Sequence, residues 1–87
     1  MHEFSLMADL LRKIEMIARD NQADKVVRVK VKLGALSHIT PEHFEEHFAE
    51  AIHGTVAAGA KLEVEQMTDV SDPQAQDILL DSVEVAA

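Results

Sequence analysis

The stretch Val27-Arg28-Val29-Lys30-Val31-Lys32-Leu33-Gly34 decides the fold, because it is the clearest strand in the sequence. Apolar residues at its odd positions alternate with basic residues at its even positions. This period of two is typical of a strand that buries one face and exposes the other. We therefore predict a strand over residues 25–33, with Val27 and the alternate residues after it pointing inward and Gly34 ending it.

A helical period precedes this strand. Apolar residues between Leu6 and Ala18 recur at three- and four-residue spacing, so we predict a helix over residues 6–21 with Ser5 as its N-cap and Asn21 as its stop. The residues before Ser5 are then left to extend, and they leave room for a short N-terminal edge strand.

A second helix is predicted after the strand. Thr40 and Pro41 are typical of a helix start, because a threonine hydroxyl caps free N–H groups and proline suits the first helical position. The helix is predicted to run to about His53, where Gly54 stops it. Phe44 and Phe48 form its apolar face.

Two more strands complete the prediction, at residues 61–67 and 78–85, separated by a polar loop at 68–77. Glu63 and Glu65 alternate with inward apolar residues and are expected to form cross-strand pairs with the basic strand. The element order predicts a single α+β domain over residues 1–87. Its two helices pack on one face of a small, mainly antiparallel three-stranded sheet, whose exposed edges allow a homodimer.

Composition excludes several function classes. The chain of 87 residues has no cysteine, so it forms neither disulfides nor a thiolate zinc site. Sixteen acidic residues outnumber eight basic ones, for a net charge of -8, which argues against a nucleic-acid partner. Apolar runs are too short for a membrane span and no secretory signal is recognisable, so we expect a cytoplasmic protein with no membrane partner.

The opening Met1-His2-Glu3 could bind a metal ion. The α-amine of Met1, the deprotonated backbone nitrogen of His2 and a ring nitrogen of His2 can form a fused planar chelate. The backbone or carboxylate of Glu3 could add a fourth donor. Such a nitrogen set suits square-planar Ni(II) or Cu(II). The residues alone leave nickel, copper and no metal open.

The segment His43-Phe44-Glu45-Glu46-His47 matches the H-x-x-E-H pattern of some zinc peptidases. A peptidase also needs a third protein ligand and a substrate cleft, which a domain this small does not provide. We therefore expect no enzyme. His43 and His47 could still form a secondary divalent-metal pair, with Glu46 and Glu50 nearby, although the spacing alone favours an ordinary solvated helix face.

Separated blocks of the sequence carry a family resemblance. They are Met1-His2-Glu3-Phe4-Ser5-Leu6, the strand ending Lys32-Leu33-Gly34, Leu36-Ser37, and residues 54–62 and 79–85. In this order they strongly resemble the HypA/HybF family of hydrogenase-maturation nickel metallochaperones. The resemblance is continuous from residue 1 to about residue 67 and resumes near residue 78.

The resemblance implies a nickel carrier rather than a catalyst. Such a carrier works with a nickel-insertion GTPase of the HypB type to deliver Ni(II) to the large subunit of [NiFe] hydrogenase, and in some organisms it supports urease. The family's nickel site is its Met-His-Glu terminus, which Met1, His2 and Glu3 match without substitution. The alternative is an interaction or dimerisation module that has lost metal delivery.

One departure from the family pattern is clear. Family members carry a zinc-binding insertion with two CxxC pairs, where this chain has the loop at about residues 68–77 and no cysteine. We therefore expect Ni(II) as the bound metal and no structural zinc. Functions that use the zinc module, among them some partner contacts, are the ones that this departure puts in question.

Overall fold

The structure, a computed structural model, describes residues 2–86, with side chains described from Met7 onward. The chain folds into two helices and three strands, in the order that the sequence periods predict. They are helix α1 (His2–Asp20), strand β1 (Lys25–Leu33), helix α2 (Pro41–Ala51), strand β2 (Lys61–Gln66) and strand β3 (Ile78–Ala86).

The three strands form a mixed sheet in the order β2-β1-β3. β1 pairs with β2 in parallel and with β3 in antiparallel orientation. The expected mainly antiparallel sheet is thus corrected to one with one pairing of each kind. The physical reason is the connection: helix α2 carries the chain back between β1 and β2, and a helical crossover is the usual link between parallel strands.

Both helices cover the same face of the sheet. α1 packs over β3 and β1, whereas α2 packs over β2. One continuous apolar core lies beneath them, in which Ile14, Val29 and Phe44 are fully buried. Leu62 and Val64 of the edge strand β2 are only half-buried but pack against this core, as the alternation predicts.

The amino-terminal edge strand and the Ser5 cap are wrong for the described residues, because α1 already begins at His2. The helical period extends back that far: Phe4 stands three positions before Met7 and seven before Leu11 in the sequence. Neither glycine nor proline interrupts residues 2–5. The other end of the helix is as predicted, since the Asn21 amide side chain donates to the Ile17 carbonyl at 2.7 Å.

Strand β1 contains a bulge that changes which valine is buried. Its register against β3 shifts between Val26 and Arg28, so Val27 is the extra residue. A bulge residue breaks the alternation of faces. Val26 and Val29 are therefore fully buried and Val27 is half-buried, which corrects the prediction that Val27 faces the core.

The outer face of the sheet carries a ladder of ion pairs. Carboxylates from both neighbouring strands meet the basic residues of β1, as predicted for Glu63 and Glu65. The pairs are Arg28–Glu63 (3.0 Å), Arg28–Glu84 (3.4 Å), Lys30–Glu65 (3.9 Å), Lys30–Asp81 (3.7 Å) and Lys32–Asp81 (3.7 Å). All are partly exposed, so each contributes about 0–1 kcal/mol. Their main effect is to neutralise the basic face of β1.

The segment at 68–77 is a loop, as predicted, and it closes against the end of β1. The Gly34 N–H donates to the Asp77 carbonyl at 2.9 Å, and the Leu36 N–H donates to the Ala75 carbonyl at 2.7 Å. Ala75 is buried in this contact. A Cβ at Gly34 would lie 2.2 Å from the Ala75 carbonyl oxygen, so glycine is required here for a close approach of two backbones.

Candidate metal site

The metal ligands predicted from the sequence lie at the start of α1. The backbone of His2 and Glu3 forms the first turn of the helix. Met1 and the side chains of His2 and Glu3 lie outside the described residues. The first four N–H groups of an α-helix have no acceptor within the helix. The His2 and Glu3 amides are therefore not committed to the helical hydrogen-bond ladder.

Residues 21–24 connect the end of α1 to the start of β1. Ile17 and Asp20, near the carboxyl end of the helix, line a surface pocket together with Leu80 of β3. α1 therefore lies against the β3 side of the sheet.

The histidines His43 and His47 lie on the other helix, α2. Thr40 caps this helix as predicted: its side chain accepts a hydrogen bond from the His43 N–H at 3.1 Å. The His43 and His47 rings lie with their centroids 4.6 Å apart and their planes tilted by 46°. Among residues with described side chains, no group of three or more histidines and carboxylates is arranged to hold a metal ion. The hydrolase pattern therefore lacks its third ligand there.

Some polar contacts near the end of β1 were not predicted from the sequence. The Gln66 side-chain amide donates to the Leu33 and Gly34 carbonyls, each at 3.3 Å. A glutamine that ends an amphipathic strand is the only local signal for this contact, and it does not identify the acceptors. In the nearby loop, hydrogen bonds from the Ser71 hydroxyl (2.6 Å) and the Ser71 N–H (2.9 Å) lower the pKa of Asp69.

No helix within residues 2–86 combines the length and apolar character needed to cross a bilayer.

The sequence matches a known family over residues 1–72. That family is described as HypA, hydrogenase/urease nickel incorporation, metallochaperone.

Individual relatives are similar over the same region. The chain is 39% identical over 67 residues to hydrogenase maturation factor HypA of Rhodopseudomonas palustris strain TIE-1, a span of 77% of this chain and 59% of that protein. It is 45% identical over 65 residues to hydrogenase maturation factor HypA of Aquifex aeolicus, which covers 75% of this chain and 56% of that protein. The match therefore spans less than two thirds of the length of these relatives.

Solved structures share the fold. The solution structure of the Ni metallochaperone HypA from Helicobacter pylori superposes with a TM-score of 0.80 at 21% identity, over 98% of this chain and 97% of that one. A second solution structure, of a HypA protein, superposes with a TM-score of 0.74 at 23% identity, over 97% of this chain and 95% of that one. At these identities the likeness shows a common fold.

Proposed function

The chain belongs to the HypA family, and from this membership we propose that it is a nickel metallochaperone, which captures Ni(II) at Met1, His2 and Glu3 and hands it on for hydrogenase maturation. The proposed role is transport of a metal ion, with no catalytic step. The proposal depends on one observation: α1 begins at His2, so the predicted ligands lie at a helix start. The family to which the chain belongs is described as one of nickel incorporation.

The helix start supports this chelate in two ways. The His2 amide must lose its proton to bind the metal, and in the first helical turn that proton is not used in a hydrogen bond within the helix. The nitrogen that results is negatively charged. The amino-terminal end of a helix carries a partial positive charge, which stabilises an anion placed there. Metal binding and the helix can therefore coexist.

Release of the metal follows from the same chemistry. Three fused nitrogen donors in a plane leave the faces and one edge of Ni(II) accessible to the ligands of a recipient. The amine and the amide each release a proton when the metal binds, so the affinity falls as the pH is lowered. Reprotonation of the amide during ligand exchange would complete the transfer.

The proposed recipients are a nickel-insertion GTPase of the HypB type and the large subunit of [NiFe] hydrogenase, with urease as a second destination. These proteins act in the cytoplasm, where we place this chain. A nucleic-acid partner is not proposed, because Arg28, Lys30 and Lys32 already face carboxylates across the sheet.

We also propose that the loop at 68–77 takes the place of the family's zinc insertion. Residues 1–87 would then form one domain without structural zinc, with sheet edges available for a homodimer.

The experiment is a Ni(II) titration of protein with an unmodified amino terminus, followed by d–d absorption. We expect one planar Ni(II) complex per chain, lost in His2→Ala and in protein acetylated at the α-amine. His53→Ala is the matched control, since it removes an exposed imidazole elsewhere. If His2→Ala titrates like the unmodified protein, the site assignment is wrong.

Delivery is tested separately. The nickel-loaded chain is mixed with the GTPase, and the metal bound to each protein is measured after separation. We expect nickel to move to the GTPase from the unmodified chain and not from His2→Ala. Binding of the GTPase with no nickel transfer would instead indicate an interaction module.

A further inference from the structure

Helix α2 presents a pair of imidazoles that the amino-terminal chelate does not use. We propose that His43 and His47 form a second, bidentate site for a divalent transition metal of the Ni(II) or Cu(II) type. The site is built by residues one helical turn apart, which share a face of the helix. It uses no donor atom of Met1, His2 or Glu3, and it lies on α2, which packs over β2, whereas α1 packs over β3 and β1.

The spacing of the two rings fits one shared metal ion. An imidazole nitrogen binds at about 2.0–2.1 Å, and adding about 1.1 Å from nitrogen to ring centroid places each centroid about 3.2 Å from the metal. Two such rings at a bond angle of about 90° have centroids about 4.5 Å apart, whereas a tetrahedral angle gives about 5.2 Å. The observed 4.6 Å between His43 and His47 matches the 90° arrangement. Square-planar and octahedral ions provide that angle.

The helix beneath the pair is firmly held. Phe44 and Phe48, about 100° around the helix from the two histidines, are almost fully buried, with exposed fractions of 0% and 2%, so α2 cannot rotate about its axis. The Thr40 cap holds the first turn through the His43 backbone N–H. His43 is exposed and His47 half-buried, so an ion from solvent can reach the pair. Because the backbone is fixed, little ordering is needed when the second imidazole binds.

The surroundings favour a cation. Glu46 and Glu50 are exposed and lie on the same side of the helix as the two histidines by their spacing of three and four residues. The whole chain carries a charge of -8. No third histidine or carboxylate with a described side chain joins the pair in the arrangement observed, so water would complete the coordination. Imidazole suits Ni(II) and Cu(II), and two imidazoles with water bind more weakly than a fused three-nitrogen chelate.

The test begins from His2→Ala protein, in which the amino-terminal chelate is disabled. Ni(II) is titrated while affinity is measured calorimetrically and the histidine ring protons are followed by NMR. An ion held by two imidazoles and water is octahedral and paramagnetic. We therefore expect the ring signals of His43 and His47 to broaden first. A further His43→Ala or His47→Ala change should weaken binding by at least about tenfold, since one of two linked donors is lost.

A matched control separates this site from unspecific binding to histidine. His53→Ala on the same His2→Ala background removes an exposed imidazole and should leave the affinity unchanged. Alanine favours helix, and the Thr40 hydroxyl oxygen accepts from the backbone N–H of residue 43, which an alanine retains. Far-ultraviolet circular dichroism of the variants should therefore show α2 intact. His43→Gln should repeat the loss of binding if His43→Ala unfolds.

Two results would overturn the proposal: His43→Ala binding Ni(II) as tightly as its parent, or His53→Ala weakening the binding equally. Neither result bears on the amino-terminal site, since that site is absent from every protein in this experiment.

Discussion

Replacing Gly34 by alanine should destabilise the protein, although the φ angle there does not require glycine. Positive φ angles occur at Gly54 and Gly59 but not at Gly34. Where φ is negative and a methyl group has room, replacing glycine by alanine stabilises a protein by about 0.4–1 kcal/mol, because the unfolded chain loses entropy. At Gly34 the contact with the loop reverses the expected sign.

The magnitude follows from what the new methyl group would meet. Its Cβ would lie 2.2 Å from the Ala75 carbonyl oxygen and 2.8 Å from that of Gln74. Both are backbone atoms, which cannot move aside as a flexible side chain can. If the loop retreats, the Gly34–Asp77 and Leu36–Ala75 hydrogen bonds are lost, at about 0.5–1.5 kcal/mol each. If it stays, the overpacking costs about 1–3 kcal/mol. Either way we expect a loss of about 1–3 kcal/mol.

The assay is urea unfolding of the wild type and Gly34→Ala, combined with hydrogen exchange of the Leu36 amide. In a thermal scan, a loss of this size lowers the melting temperature by roughly 4–24 °C for a domain of this length. Gly59→Ala is the control: no atom lies within 4 Å of its new methyl group, and its φ of +79° costs about 1–2 kcal/mol by backbone strain alone. Gly34→Ala should expose the Leu36 amide and Gly59→Ala should not. A Gly34→Ala protein as stable as the wild type, with Leu36 still protected, would refute the close contact.

Three further changes test the fold. Thr40→Ala removes the acceptor of the His43 N–H and should cost about 1 kcal/mol in urea unfolding, whereas Thr40→Ser should keep most of the stability. Phe44→Ala opens a cavity in the core and should cost about 3–5 kcal/mol, a large share of the 4–13 kcal/mol typical for this length; an unchanged urea midpoint would contradict its burial. Ser71→Ala removes the hydroxyl that holds the Asp69 pKa down, so that pKa should rise toward 3.8 in an NMR titration of the carboxyl group. Because the folded-state pKa is lowered, the stabilising effect of this pair is present above the unfolded pKa and is lost as the pH falls through the folded pKa.

Local signals were sufficient for most of the elements. The alternation around Val29, the Thr40-Pro41 helix start and the polar loop at 68–77 each depend on neighbouring residues, and each appears in the structure as predicted. The Glu63 pair was also predictable, since it needs only that two alternating strands lie side by side. The parallel pairing of β1 and β2 had a signal too, in the helix between them, but the sequence analysis did not use it.

Other features depend on contacts between distant parts of the chain. The extra residue at Val27 exists because β1 must match β3, a strand that begins more than forty residues later. A second register shift between Lys30 and Val31 lets Asp81 reach both Lys30 and Lys32. A strand pattern considered alone cannot reveal either shift, because the partner decides the register.

The sequence by itself determined the order of helices and strands and the absence of cysteine, and it supplied the donor atoms proposed at Met1, His2 and Glu3. These depend on residue type and on spacing along the chain. Only the tertiary structure decided that β2 runs parallel to β1, that the loop closes on Gly34 and that the buried Phe44 turns the histidines of α2 toward solvent. Those features are set by which surfaces pack together, and packing joins residues that no local period connects.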